Sequence, residues 1–257
     1  MIVPAPRQEF LGLHFDGLTS DDALAAVLEL MTSARFSYVV TPNVDHMVRL
    51  WRERETSAGA ALWAAYDAAA LCLCDSRILA KLAQFSGLDF PVVTGSDLTA
   101  RLVQSALPDA TRVVLIGGTP AQQQWLAANR PNVVWLQHIP PMGFRHDAQA
   151  QDRALAFIAD SQPDLILFAI GAPQSELLAA RIAEGELARG VGLCIGASIE
   201  FVTGEKRRAP AWIGRMGLEW AFRLAAEPAR LWRRYLIEGP AIFRIWWHWR
   251  KSAAAQS

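Results

Sequence analysis

Asp75 stands directly after the apolar run Leu71-Cys72-Leu73-Cys74, where a short strand would end and a helix begin. A carboxylate in that position has two uses: it caps the helix that follows, or it serves as a base at the edge of a sheet. The spacing leaves both open. Thr41 and Asn43 follow the β-branched and aromatic run Ser37 to Val40, so a strand would deliver them to a loop in the same way. Asp97, in Gly95-Ser96-Asp97-Leu98, reads as a cap for the next helix. Two more polar clusters sit between a strand and a helix: Gly117-Gly118-Thr119-Pro120, and Gly171 to Glu176, which includes Gln174. Exposed N–H groups at helix starts suit phosphate or pyrophosphate. A tight strand–helix turn needs glycine whether or not anything binds, so Gly117 has both readings.

Other chemistries find less support. The five histidines show no HxxxH or HExxH spacing, and no Asp-x-Asp occurs, so the usual ligands for zinc or for a metal on a sugar diphosphate are missing. If a diphosphate leaves here, cationic side chains must hold it. Cys72 and Cys74 lie two apart in an apolar run with no second metal-spaced pair, and read as small core residues. With Cys194 they make an odd number, which suits a reducing compartment.

The elements that would position these residues alternate between strand and helix. A weakly alternating strand over 10–15 precedes a helix capped by Ser20, and residues 44–70 read as helical. Strands are expected at 37–40, 71–74, 112–116, 132–137, 164–170 and 191–195, with helices between them. Such alternation indicates an α/β fold with a parallel sheet covered by helices, and ligands sit at the carboxyl ends of its strands. In 257 residues, 52% of them hydrophobic, there is ample core for one large domain or for a core plus an appendage. No apolar run is long enough to span a bilayer, and the N-terminus does not read as a secretory signal.

The net charge of zero conceals a division. From Lys206 to the end there are eleven Lys and Arg against three acidic residues, and six of the ten tryptophans. Residues 1–205 therefore read as the core and 206–257 as a helical, basic, Trp-rich appendage. Its aromatic and basic end fits the headgroup layer of an anionic membrane. A hairpin packed on its own core is the alternative, and no recognised motif supports nucleic acid. Arg230, Arg233 and Arg234 fall on one face of an ideal helix.

The tail also carries an ordered series: Phe201-Val-Thr-Gly-Glu-Lys-Arg-Arg208-Ala-Pro210, Gly217-Leu-Glu-Trp220, Arg223-Leu224, Glu227-Pro228 and Arg233-Arg-Tyr235. With Thr41-Pro-Asn43, Asp75, Gly95-Ser-Asp-Leu98 and Gly171-Ala-Pro173, it resembles the WecG/TagA/CpsF family of bacterial glycosyltransferases. The resemblance implies a Rossmann-like core and an inverting, metal-independent transfer from a UDP-sugar to a polyprenyl-diphosphate-linked saccharide. The reaction would serve surface polysaccharide synthesis at the cytoplasmic membrane face. It implies Asp75 as general base, Thr41 and Asn43 in the substrate pocket, and Arg208, Arg215, Arg223 and Arg230 closing over the diphosphate. Val92 and Gln174 replace an arginine and a lysine common in the family, and Arg77 is a candidate to supply the missing charge. A dehydrogenase-like nucleotide enzyme is disfavoured by the absence of GxGxxG. A membrane-associated scaffold is the non-enzyme alternative.

Overall fold

The computed structural model describes residues 7–207, 209–210, 213 and 218–254. A short antiparallel hairpin, β1 (Gln8–Phe10) and β2 (Leu13–Phe15), opens the chain where one strand is expected. Then follow α1 (Ser20–Met31), β3 (Ser37–Val40), α2 (Val44–Glu53), α3 (Ser57–Asp67), β4 (Leu71–Cys72), α4 (Arg77–Gln84) and α5 (Gly95–Arg101). The regular half comprises β5 (Arg112–Gly117), α6 (Pro120–Asn129), β6 (Val134–His138), α7 (Ala148–Ser161), β7 (Leu165–Ala169), α8 (Gln174–Glu184) and β8 (Val191–Cys194). The chain continues through α9 (Ser198–Val202), α10 (Glu219–Ala226), α11 (Pro228–Trp232) and α12 (Ala241–Ala254).

Two helix starts differ from the sequence reading. The cap of α1 is Thr19, whose side chain accepts from the Asp22 N–H. Ser20 is the first helical residue, and its hydroxyl accepts instead from Arg101. The stretch expected as one helix over 44–70 breaks at residues 54–56, where Thr56 caps α3. Gly59 permits that break: a Cβ there would lie 1.8 Å from the Glu53 carbonyl oxygen, so no larger residue lets α2 and α3 approach so closely.

Six strands form one parallel sheet in the order β4-β3-β8-β7-β5-β6. Alternation along each strand divides the interior into two cores. Tyr38, Val40, Val114, Ile116 and Phe168 pack under α2, α3, α7 and α8. Val39, Val113, Leu115, Leu165 and Leu167 pack against α1, α5, α6 and α9 on the other face. Burial on both faces explains why these strands read as continuous apolar runs. Cys72 and Cys74 both face the first core and Leu73 the second; all three cysteines are free and buried.

The order of the strands creates two crevices at their carboxyl ends. β3 leads outward to β4 while β8 flanks its other side, and β5 leads outward to β6 while β7 flanks its other side. Thr41 and Gly196 follow the strands of one crevice; Gly117 and Gly171 end or follow those of the other. Ligands of open parallel sheets occupy such points.

The tryptophans of the tail have separate fates. Trp246 donates to the Ser86 hydroxyl at 2.9 Å, and Trp249 donates to Glu9 at 3.0 Å while meeting the Phe10 ring edge-on at 5.2 Å. One side of α12, including the buried Ile242, therefore belongs to the core around the β1–β2 hairpin. Phe243 and Trp247 lie on the opposite side and are exposed, beside Arg244, Arg250 and Lys251. The interfacial and core-packing readings of this segment each describe one face of the same helix. Trp212 lies outside the described residues. Replacing Trp249 with Ala is expected to cost about 2 kcal/mol in urea unfolding, because a packed ring and a hydrogen bond are lost. Trp247→Ala should stay within about 0.5 kcal/mol of the parent.

Candidate active site

The backbone around Asp75 is held from both sides. Leu73 N–H donates to the Val40 carbonyl at 2.9 Å, Asp75 N–H to the Pro42 carbonyl at 3.1 Å, and Val93 N–H to the Cys74 carbonyl at 2.9 Å. The side chain that caps α4 belongs to Ser76, whose hydroxyl accepts from the Leu79 N–H at 3.2 Å. The capping of α4 by Asp75 therefore falls, and its carboxylate turns instead toward the start of α5 and the cavity. Its Oδ2 accepts from the Gly95 N–H at 3.3 Å, the first residue of α5. Asp97 is not the cap of that helix either. Thr94 caps it, accepting from the Asp97 N–H at 3.0 Å and donating to the Asp97 carboxylate at 2.6 Å. Thr41 closes the same corner: a Cβ on Gly95 would come within 2.8 Å of its hydroxyl oxygen. Gly95 thus lets the start of α5 rest against both Thr41 and Asp75.

Asp75 lies in a cavity of about 400 Å³, within the usual range for ligand pockets. The sheet edge supplies Asn43, Asp45, Asp75, Ser76 and Arg77 to its lining, and the tail supplies Glu219, Trp220, Arg223, Arg234 and Tyr235. Burial pushes the Asp75 carboxyl up to about 7, and the neighbouring Glu219 carboxylate pushes in the same direction. The Gly95 N–H and the Arg223 guanidinium oppose the rise. A carboxylate of that proton affinity is suited to general-base work near neutral pH.

Asn43 both lines the cavity and caps α2. Its Oδ1 accepts from the Asp45 N–H at 3.0 Å, and its own N–H donates to His46 Nδ1 at 3.1 Å. Burial holds His46 down to about 4, so the ring is neutral at pH 7 and its Nδ1 stays an acceptor. Asp45 pairs with Arg234 at 3.3 Å, which fastens the tail across the cavity.

Arg234 is thereby drawn to the cavity, whereas Arg233 stays exposed. From Arg233 to Glu238 the helix has π-type turns, so positions drift progressively from those of an ideal α-helix along this stretch. Arg230 stays exposed and pairs with Glu227 at 2.6 Å. Lys206 bridges Glu227 and Glu200, at 3.2 and 2.5 Å, so this cluster ties α11 to α9. Arg223 is brought to the cavity, its guanidinium also lying 5.7 Å from the centre of the Phe201 ring. Arg208 and Arg215 lie outside the described residues.

The other candidates belong to the second crevice and are not among the residues of this lining. Gly117 has φ +95°, and a Cβ on it would stand 2.8 Å from the Ala169 carbonyl oxygen, so the β5–β7 contact alone requires glycine. Gly171 opens the turn before α8, and Gln174 is the first residue of that helix. Glu176 is 3% exposed; its Oε1 accepts from the Tyr66 hydroxyl at 3.3 Å, and among the described residues its Oε2 has no hydrogen-bond partner. Burial raises this carboxyl to about 7. Arg49 donates to the Ala172 carbonyl at 2.9 Å and links α2 to the same turn.

The sequence reading passed over Asp45, Glu219, Trp220 and Tyr235 as site residues. Glu219 and Trp220 stand in the Gly-Leu-Glu-Trp signature, so that motif was their available signal. Tyr235 likewise stands in the Arg233-Arg-Tyr235 signature, whereas Asp45 belongs to none of the quoted tail motifs and meets the tail only through its pair with Arg234.

The family model of the glycosyl transferase WecG/TagA/CpsF family matches residues 8–256, and the chain belongs to this family. A curated relative is the N-acetylglucosaminyldiphosphoundecaprenol N-acetyl-beta-D-mannosaminyltransferase of Bacillus subtilis (strain 168). It is 35% identical over 92 residues, a segment that covers 35% of this chain and 35% of that protein.

The buried carboxyl of Asp75 has a stability consequence with a definite sign. Its folded value of about 7 lies above its ordinary value of 3.8, so ionisation costs the folded state stability as pH rises between the two. Asp75→Asn, which cannot ionise, should match the parent in thermal unfolding at pH 3.5 and melt at a higher temperature at pH 8. Equal melting temperatures at pH 8 would mean that Asp75 is not desolvated.

Proposed function

We propose that this protein is an inverting glycosyltransferase that moves a sugar from a UDP-sugar to a saccharide carried on a polyprenyl diphosphate, in the synthesis of a bacterial surface polysaccharide. The observation that carries the reading is Asp75, freed from capping α4, raised in proton affinity and set in a cavity with arginines in its walls. The acceptor hydroxyl donates its proton to Asp75 while its oxygen attacks the anomeric carbon from the face opposite UDP. One displacement forms the new glycosidic bond, breaks the bond to UDP and inverts the anomeric centre. Thr41 and Asn43 border the reacting sugars. Gly117, Gly171 and Gln174, at the second crevice, are candidates for the nucleotide. Glu176, buried against Tyr66, supports that turn from within.

The charge that develops on the leaving diphosphate would be met by Arg77 and Arg223, joined by Arg208 and Arg215, with no metal required. Arg230, already paired with Glu227, would serve by holding the tail in place. Among the described residues, no three His, Cys, Asp or Glu side chains converge as a metal site needs.

We place the enzyme on the cytoplasmic face of the membrane. Among the described residues no helix is long and apolar enough to cross a bilayer. Trp232, Phe243 and Trp247, exposed among Arg233, Arg244, Arg250 and Lys251, suit an anionic leaflet.

A panel of UDP-sugars offered with a polyprenyl-diphosphate-linked saccharide tests the reaction. Asp75→Asn should lower turnover by ~10²–10⁴-fold while UDP binding persists. The parent's rate should rise with pH and level off above about 7, as Asp75 gives up its proton. Turnover should survive EDTA; loss on chelation, restored by Mg²⁺ or Mn²⁺, would overturn the arginine assignment. Wild-type turnover in Asp75→Asn would remove Asp75 as the base. Charge reversal of Arg250 and Lys251 together should weaken co-sedimentation with anionic vesicles, each lost cation being worth about 1 kcal/mol near the surface. Unchanged sedimentation would remove this face as the membrane contact.

A further inference from the structure

The cavity around Asp75 has two chemically different halves. The sheet edge contributes polar and charged groups: Asn43, Asp45, Asp75, Ser76 and Arg77. The tail brings Arg223 and Arg234, and beyond them an apolar wall of Trp220, Tyr235, Pro240, Ile242 and Phe243. Trp220 and Tyr235 meet edge to face with ring centres 6.2 Å apart, which makes that part of the wall a fixed aromatic surface. Pockets for small polar ligands are themselves largely apolar, so what distinguishes this wall is where it leads.

The wall also continues out of the cavity. Phe243 lines the cavity and yet is 54% exposed. Trp247, one helical turn further along α12, is 54% exposed, and Leu236 and Ile237 before the Gly239-Pro240 turn are exposed too. Phe243, which lines the cavity and is half exposed, thus joins the apolar wall to the outer face of α12. A ligand that matches this sequence of surfaces is an amphiphile: a polar saccharide, an anionic centre, then a hydrocarbon chain.

We infer that Trp220, Tyr235, Pro240 and Phe243 form a subsite for the first isoprene units of the acceptor's lipid carrier. Those units leave the bilayer and lie against the tail, while the acceptor's own diphosphate lies beside Arg234, the lining arginine not assigned to the leaving UDP, and the saccharide reaches Asp75. This rests on the reading of the acceptor as a polyprenyl diphosphate. It adds that the enzyme grips the hydrocarbon itself rather than relying on the membrane to present it. Branched, unsaturated units suit an aromatic wall that a straight, flexible chain fills less completely.

The test is calorimetry on the intact protein without vesicles, titrating inorganic diphosphate, octyl diphosphate and geranyl diphosphate below their aggregation concentrations. Geranyl diphosphate should bind at least tenfold more tightly than inorganic diphosphate, with octyl diphosphate between them. Phe243→Gln, at a half-exposed position that does not threaten the fold, should reduce the gain to threefold or less. Tyr235→Ser should do the same. Equal affinity for all three ligands overturns the proposal. So does a gain that survives both substitutions, or one that appears only when vesicles are present, since the latter is membrane partition. These readouts do not require turnover. Tight geranyl diphosphate binding with no sugar transferred from any donor would fault the proposed reaction and leave the subsite standing. Transfer that is equally efficient onto prenyl and short-alkyl diphosphate saccharides would do the reverse.

Discussion

The site depends on how the chain around Asp75 is pinned between two neighbours. Backbone bonds from residues 73 and 75 to the end of β3, and from residue 93 to residue 74, extend the sheet past the last regular strand residue. The carboxylate is thereby carried to the rim of the sheet with its backbone already satisfied. Ser76 takes over the capping of α4, and Gly95 brings the start of α5 into contact. If any of these three conditions failed, Asp75 would turn to the nearest helix or to water. Its proton affinity would then return to that of an ordinary carboxylate.

The tail gains its place through a few specific contacts. Lys206, Glu200, Glu227 and Arg230 join it to α9; Asp45 and Arg234 join it across the cavity; Trp246 and Trp249 anchor its end on the turn after α4 and on the β1–β2 hairpin. Exposed ion pairs contribute little to stability individually, so the packed tryptophans hold most of the segment down. The ion pairs contribute direction. They decide which cations face the cavity and which remain outside for a charged surface.

Asp75 and Glu176 are both buried carboxyls whose proton affinity is raised chiefly by desolvation, yet their surroundings differ. Asp75 opens to a cavity and keeps a single backbone donor. Glu176 is closed in, with Tyr66 as its donor and one oxygen unpartnered among the described residues. The first can exchange a proton with a ligand; the second can only shape the turn above it. Raised proton affinity alone does not identify a base, and access distinguishes the two.

The strand–helix alternation was legible because burial on both faces of a parallel sheet writes itself as short apolar runs between helical periods. All six sheet strands were readable in this way, and their carboxyl ends located Thr41, Asn43 and Asp75 before any coordinates. The signature residues of the tail likewise pointed to Arg223. The caps were less legible, since Thr19 and Ser20, or Asp75 and Ser76, are adjacent residues of similar capacity, and backbone angles decide between them. The break at residues 54–56 was hidden because the close approach that Gly59 permits is to a carbonyl oxygen six residues back. Arg234 was not legible as a cavity residue because the partner that draws it there, Asp45, lies in a distant part of the chain. Asp45, Glu219 and Tyr235 entered the site only through docking of the tail. Spacing along a chain determines which residues share a face of one element, whereas only tertiary packing determines which faces of distant elements enclose the same cavity.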